Sequence, residues 1–91
     1  MAEVQCQSAG EVYILPVRDA SLGGIFLEGK PEDCPALVKG AQVILDIIPE
    51  NETEIRPIRA YGRVVRVDRN GFAMVLVVEQ RDFARLNKVA A

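Results

Sequence analysis

Residues 68–72 read Asp-Arg-Asn-Gly-Phe, with the run Val64-Val65-Arg66-Val67 before them and Phe72-Ala73-Met74-Val75-Leu76-Val77-Val78 after. An Asn-Gly pair between two apolar runs is the strongest short-range hairpin signal, because a two-residue hairpin turn wants positive φ at its centre. The rest of the chain repeats the theme of short β-branched runs punctuated by turn residues. Strands are expected at Glu3–Gln7, Glu11–Val17, Ile25–Leu27, Ala41–Ile48, Ile55–Asp68 and Phe72–Val78. Pro16 marks an edge or a strand end, since proline cannot donate to a ladder. Pro57 and Gly62 are the places expected to hold a bulge in the long fifth run. Residues 18–24 read as a sharp break, 29–40 as a loop with two prolines, and 49–54 as a polar hairpin connection.

The sixth run is continuously apolar, the pattern of a strand covered on both faces. The tail offers the cover: Phe83, Leu86 and Val89 or Ala90 recur at helical spacing. A helix over about residues 80–89 would lie across the sheet with Asp82, Arg85 and Lys88 outward. Val64 and Val65 must point oppositely, so one faces the interior and the other is expected to meet that helix. The expected fold is all-β, a small six-stranded antiparallel barrel with strands to about residue 78 and a C-terminal helix, because closure removes exposed sheet edges. At 91 residues the chain has room for one core, so residues 1–91 are read as one domain.

Composition narrows the chemistry. There is no His, so the side chain best suited to proton transfer near neutral pH is missing, and a Ser-His-Asp relay is impossible. The two cysteines, Cys6 and Cys34, lack any Cys-x-x-Cys spacing, which argues against a zinc site and for ordinary thiols. No catalytic residue, metal ligand or cofactor is therefore assigned. A net charge of −2 with five aromatic residues is a poor match to a nucleic-acid polymer. Apolar runs are far too short for a membrane-spanning helix, and the N-terminus has neither a basic start nor an apolar stretch, so a cytoplasmic location is expected.

One segment carries chemical information: Asp19-x-Ser21-x-x-Gly24, between two expected strands. Asp and Ser side chains stabilise sharp turns by bonding nearby amides, and Gly23 and Gly24 let another group approach the backbone. Such a turn presents a carboxylate, a hydroxyl and amides within a small area. A carboxylate can accept from both N1–H and the exocyclic amine of guanine. The same residues could equally do no more than satisfy their own turn.

With this motif in place the chain resembles the PilZ domain family, which binds the bacterial second messenger cyclic di-GMP. The matching words are Val17 to Leu27, containing Asp-x-Ser-x-x-Gly; Gly62-Arg63-Val64-Val65-Arg66-Val67, like a later strand; and Gly71-Phe72-Ala73-Met74-Val75, where Ala73 replaces the second glycine of the family's Gly-x-Gly. The resemblance implies a six-stranded barrel with a closing helix, and a ligand-holding turn at Asp19, Ser21 and Gly24; the adjoining Gly23 and Arg18, the latter as a phosphate contact, complete the expected ligand site. It also implies an Arg-x-x-x-Arg segment ahead of the first barrel strand, gripping phosphates and stacking on guanine. Arg18 is the sole arginine ahead of Asp19 within these 91 residues. The spacing recurs at Arg59/Arg63 and Arg81/Arg85, after the turn motif. Two hydrogen bonds to charged groups at about 1.5–3 kcal/mol each correspond to roughly a hundredfold to ten-thousandfold in affinity.

The expected function is thus a non-enzymatic cyclic di-GMP-binding signalling module with an incomplete nucleotide site. The alternative is a degenerate adaptor acting through protein contacts alone. Residues 55–70 carry five arginines against one aspartate, and Arg59, Arg63 and Arg66 are candidates for a surface meeting a signalling or motility protein, or another domain of a parent chain. A solvated face with arginine stems over apolar surface is the plainer account of the same residues.

Overall fold

The computed structural model describes residues 2–21, 23–48 and 56–89, with residues 87–89 described by backbone alone. The six strands are β1 (Glu3–Ser8), β2 (Glu11–Ser21), β3 (Gly24–Glu28), β4 (Gln42–Ile48), β5 (Ile58–Asp68) and β6 (Gly71–Val78). They close into an antiparallel barrel in the order β1-β2-β3-β6-β5-β4. A 3-10 turn at Pro31–Asp33 lies in the β3–β4 connection, and a second at Gln80–Asp82 leads into helix α1 (Phe83–Val89). The polar connection expected at 49–54 lies outside the described residues.

Alternation along the strands fills the barrel. Val4 and Cys6, Leu15 and Val17, Ile25 and Leu27, Val43, Leu45 and Ile47, Ile58, Ala60 and Val64, and Phe72, Met74 and Leu76 form one buried cluster. Leu37 and Cys34, from the β3–β4 connection, join the same cluster. That connection is tied down by the Ala36 amide donating to the Tyr13 hydroxyl at 3.2 Å and the Gly40 amide donating to the Val64 carbonyl at 2.7 Å. Leu86 of α1 is fully buried in the core, and α1 packs against β2.

The expected hairpin is present: β5 and β6 pair through Asp68↔Gly71, and one Asp68 carboxylate oxygen accepts from the amides of Asn70 at 2.8 Å and Gly71 at 3.1 Å. Gly71 must lack a side chain, since a Cβ there would collide with the Leu27 carbonyl and sit 2.8 Å from the Phe26 ring.

Several expectations need correction. β2 does not stop at Val17 but runs through the supposed break to Ser21. Pro16 lies inside it, tolerated because the bond to β1's end is made by its neighbour, Val17 N–H to the Ala2 carbonyl at 2.8 Å. The bulge in β5 falls at Val65, not at Pro57 or Gly62. Gly62 is instead a point of close approach, where a Cβ would strike the Val75 carbonyl. β6 is covered on one face only, with Val75 and Val77 exposed, because α1 plugs the barrel rather than lying across its wall. Val65 is partly exposed and lies beside Pro31, Cys34 and Leu37 of the β3–β4 connection. Asp82 and Arg85, expected outward, are buried. Asp82 Oδ1 accepts from Arg56 Nη2 at 2.9 Å and from Arg85 Nη1 at 3.2 Å, and Arg85 also donates to the Arg56 carbonyl. The helix is thus held to the barrel by an ionic lock, and Arg56 holds the Asp82 carboxyl below its ordinary range.

Candidate functional site

In β2 the pairing with β3 runs Val17↔Leu27 and then Asp19↔Phe26, so Arg18 is an inserted residue. The consequence is geometric. Without the insertion, alternation would send Asp19 to the same face as Val17, into the core. With it, Arg18 and Asp19 both point outward and Ala20 turns back to pack on the core.

Asp19 is 79% exposed, and its one ion pair among the described residues is a loose 3.9 Å contact to Arg18. Ser21 is also exposed, and its hydroxyl donates to the Gly24 carbonyl at 3.5 Å, so part of the turn's polarity is spent on the turn itself. Gly23 is open to solvent on its side-chain face. Its carbonyl accepts from Leu76 N–H at 3.0 Å, which ties the turn to β6. A Cβ on Gly24 would lie 3.3 Å from the Met74 carbonyl, so this position sits tight against β6. Arg18, Asp19, Ser21, Gly23 and Gly24 therefore lie together on the outer wall at one end of the β2–β3 hairpin.

The basic strip of β5 is divided. Arg59 makes a two-pronged ion pair with Asp46 on β4, Nε to Oδ1 at 2.8 Å and Nη2 to Oδ2 at 2.9 Å, which raises its pKa further. Arg63 is exposed beside Gln42 and Val75. Arg66 leaves the strip altogether. The bulge at Val65 turns it toward β6 and β3, where its guanidinium lies 5.9 Å from the centre of the Phe26 ring, and Arg18 covers the same ring at 5.2 Å. Sequence reasoning did not join Arg66 and Phe26 to the turn, because that proximity depends on register across four strands.

Two hollows lie elsewhere. One of about 820 Å³ is floored by Gly62 and walled by Tyr61, Ile44, Val12 and Val77; the other, about 490 Å³, lies between the β3–β4 connection and Val65–Val67. Among the described residues no cluster of His, Cys, Asp and Glu is arranged to hold a metal, and no helix is long and apolar enough to cross a membrane. Cys6 and Cys34 are free, buried thiols; burial, followed by the neighbouring Cys34, pushes the Cys6 pKa up to about 12.

The structure is thus a small closed antiparallel barrel with a short C-terminal helix and an exposed Asp-x-Ser-x-x-Gly hairpin on its wall. The chain matches the PilZ domain over residues 1–89, and it belongs to that family. PilZ domains are cyclic di-GMP-binding and effector modules, not enzymes. Searches among curated proteins and among solved structures each gave no match.

Proposed function

We propose that this chain is a cyclic di-GMP-binding signalling module, with the β2–β3 hairpin as its nucleotide-facing surface. The observation that carries the reading is the intact Asp19-x-Ser21-x-x-Gly24 word in a PilZ family member, with its carboxylate turned outward by the Arg18 bulge. Asp19 accepts from the guanine N1–H and amine, Ser21 and the Gly23–Gly24 backbone bound the base, and Arg18 meets a phosphate. Within these 91 residues Arg18 is the sole arginine ahead of Asp19, so a titration of this chain is expected to show weak binding. The module acts in the cytoplasm, passing the binding event to a signalling or motility protein or to another domain of a parent chain.

The test is a titration of the isotope-labelled chain with cyclic di-GMP, followed by amide NMR to millimolar ligand. Saturable shifts at Gly23 and Gly24 that vanish in Asp19→Ala are expected. No shift, or the same shifts in Asp19→Ala, would overturn the assignment.

One observation favours a second reading. The outer wall is unusually apolar along a crosswise row: Val12, Ile44, Tyr61 and Val77 lie in successive register, separated by Gln7, and Ile14 and Val75 extend the row on the same face. Such a patch fits a protein partner, as for an adaptor that works without the nucleotide. That reading requires an amide spectrum unmoved by cyclic di-GMP, so the same titration separates the two.

A further inference from the structure

The hairpin's charge partner comes from the far side of the barrel wall. Asp19 on β2 pairs with Phe26 on β3, Phe26 with Ala73 on β6, and Ala73 with Arg66 on β5. One crosswise row therefore joins an acid, an aromatic ring and an arginine. Both ends of this row are set by a bulge: Arg18 is inserted opposite Phe26, and Val65 is inserted opposite Ala73. Each insertion turns the next residue outward, Asp19 in one strand and Arg66 in the other, while Ala20 and Val67 return to the core. Unbulged, both charges would point into the interior.

Phe26 is itself an outward-facing position, since its neighbours Ile25 and Leu27 are in the core cluster. It is nevertheless buried, because Arg18 and Arg66 lie over it. Their guanidinium carbons are 5.2 Å and 5.9 Å from the ring centre. They are thus no more than about 11 Å apart, within the span of one dinucleotide. Both side chains are more than half exposed, at 54% and 65%, and their ion pairs are loose, 3.9 Å to Asp19 and 3.8 Å to Asp68. A guanidinium has five N–H donors, so most of this donor capacity still faces outward. Arg59, in contrast, is held by Asp46 in a close two-pronged pair, at 2.8 and 2.9 Å.

We propose that Arg18 and Arg66, each stacked over the Phe26 ring, form a two-guanidinium clamp for the phosphates of the cyclic dinucleotide whose base meets Asp19. The clamp rests on the reading of the β2–β3 hairpin given above. It supplies from within the barrel a paired cationic grip, with Arg66 as a ligand-binding residue contributed by β5. The aromatic ring fixes both side chains before the ligand arrives, which lowers the ordering cost of binding.

Arg66→Met tests it. Methionine keeps an apolar stem over Phe26 and removes the charge, so a purely structural role would leave binding intact. Arg66→Met should weaken cyclic di-GMP binding by about tenfold to a hundredfold, with the melting curve little changed. It should also flatten the salt dependence of the affinity relative to the wild type. Wild-type binding that is lost in Asp19→Ala but within twofold of normal in Arg66→Met overturns the clamp and leaves the hairpin reading standing. Binding weakened by Arg66→Met but indifferent to Asp19→Ala keeps the clamp and overturns the guanine role of the hairpin. A wild-type chain that ignores cyclic di-GMP at millimolar concentration overturns both.

Discussion

The lock that seats α1 makes a quantitative prediction. Asp82 is nearly inaccessible, at 2% side-chain exposure, yet it is charged, because one oxygen accepts from Arg56 at 2.9 Å and Arg85 at 3.2 Å. A hydrogen bond to a charged group contributes about 1.5–3 kcal/mol, and removing one partner of a buried pair costs about 3–5 kcal/mol. Arg56 is 38% exposed, so its share is screened by water. Asp82→Asn, which leaves Arg85 buried beside a neutral amide, should therefore cost about 2–3 kcal/mol. For a domain of this size that is a fall in Tm of about 10–20 °C. The pH dependence follows from the direction of the shift. The Arg56 hydrogen bond lowers the folded carboxyl below its ordinary 3.8, more than offsetting the upward push of burial. The stabilisation is complete above 3.8 and is lost as pH falls through the lower folded value. Urea denaturation of wild type and Asp82→Asn, followed by circular dichroism, should show a constant gap at neutral pH that closes in acid. A gap under about 0.5 kcal/mol at pH 7, or one that persists unchanged in acid, would refute the lock.

Two further outcomes are expected from the packing. Leu86→Ala truncates a fully buried side chain of α1 and should cost about 2–5 kcal/mol in chemical denaturation, whereas an effect below about 1 kcal/mol would mean the helix does not plug the core. Cys6, with no exposed surface and a thiol pKa pushed up to about 12, should resist iodoacetamide at pH 8 in the native protein and react once urea unfolds it; rapid native labelling, read by mass spectrometry, would contradict the burial.

Much of the barrel was legible because local chemistry and long-range pairing agree. The hairpin forms where Asn-Gly marks it, although its turn residues are Arg69 and Asn70, neither with positive φ, while Gly71 opens β6 and the Asp68 carboxylate caps the amides of Asn70 and Gly71. The hairpin motif at Asp19, Ser21 and Gly24 was legible as a set of residue types, although the strand boundary was misplaced by four residues, because β2 passes through the motif before turning. The tail failed for an instructive reason. Charged residues on a short helix ordinarily face water, but Asp82, in the 3-10 turn that leads into α1, and Arg85 are buried, and Arg56 reaches them from 26 and 29 residues away in sequence. No helical periodicity encodes a partner in the segment that leads into β5. The unbroken apolar run of β6 misled similarly. It signals two covered faces, yet Val75 and Val77 remain exposed on the wall.

The bulges do leave a trace in the sequence, of a kind that strict alternation conceals. A strand that keeps its period puts residues i and i+2 on one face. In Val17-Arg18-Asp19-Ala20 the two inward residues are three apart, with two polar ones between. In Val64-Val65-Arg66-Val67 the inward pair, Val64 and Val67, is also three apart. Reading either word with period two would bury Asp19 or Arg66 in a core of Leu, Ile and Val, at a desolvation cost no partner there could offset. The bulge is the cheaper solution in both strands, and the register sets the two insertions against the same β3–β6 pair, Phe26 and Ala73. Two independent departures from alternation thus converge on one patch of the wall. That convergence is what makes this patch, rather than either of the two hollows, the place where the barrel's outer surface is organised around charge.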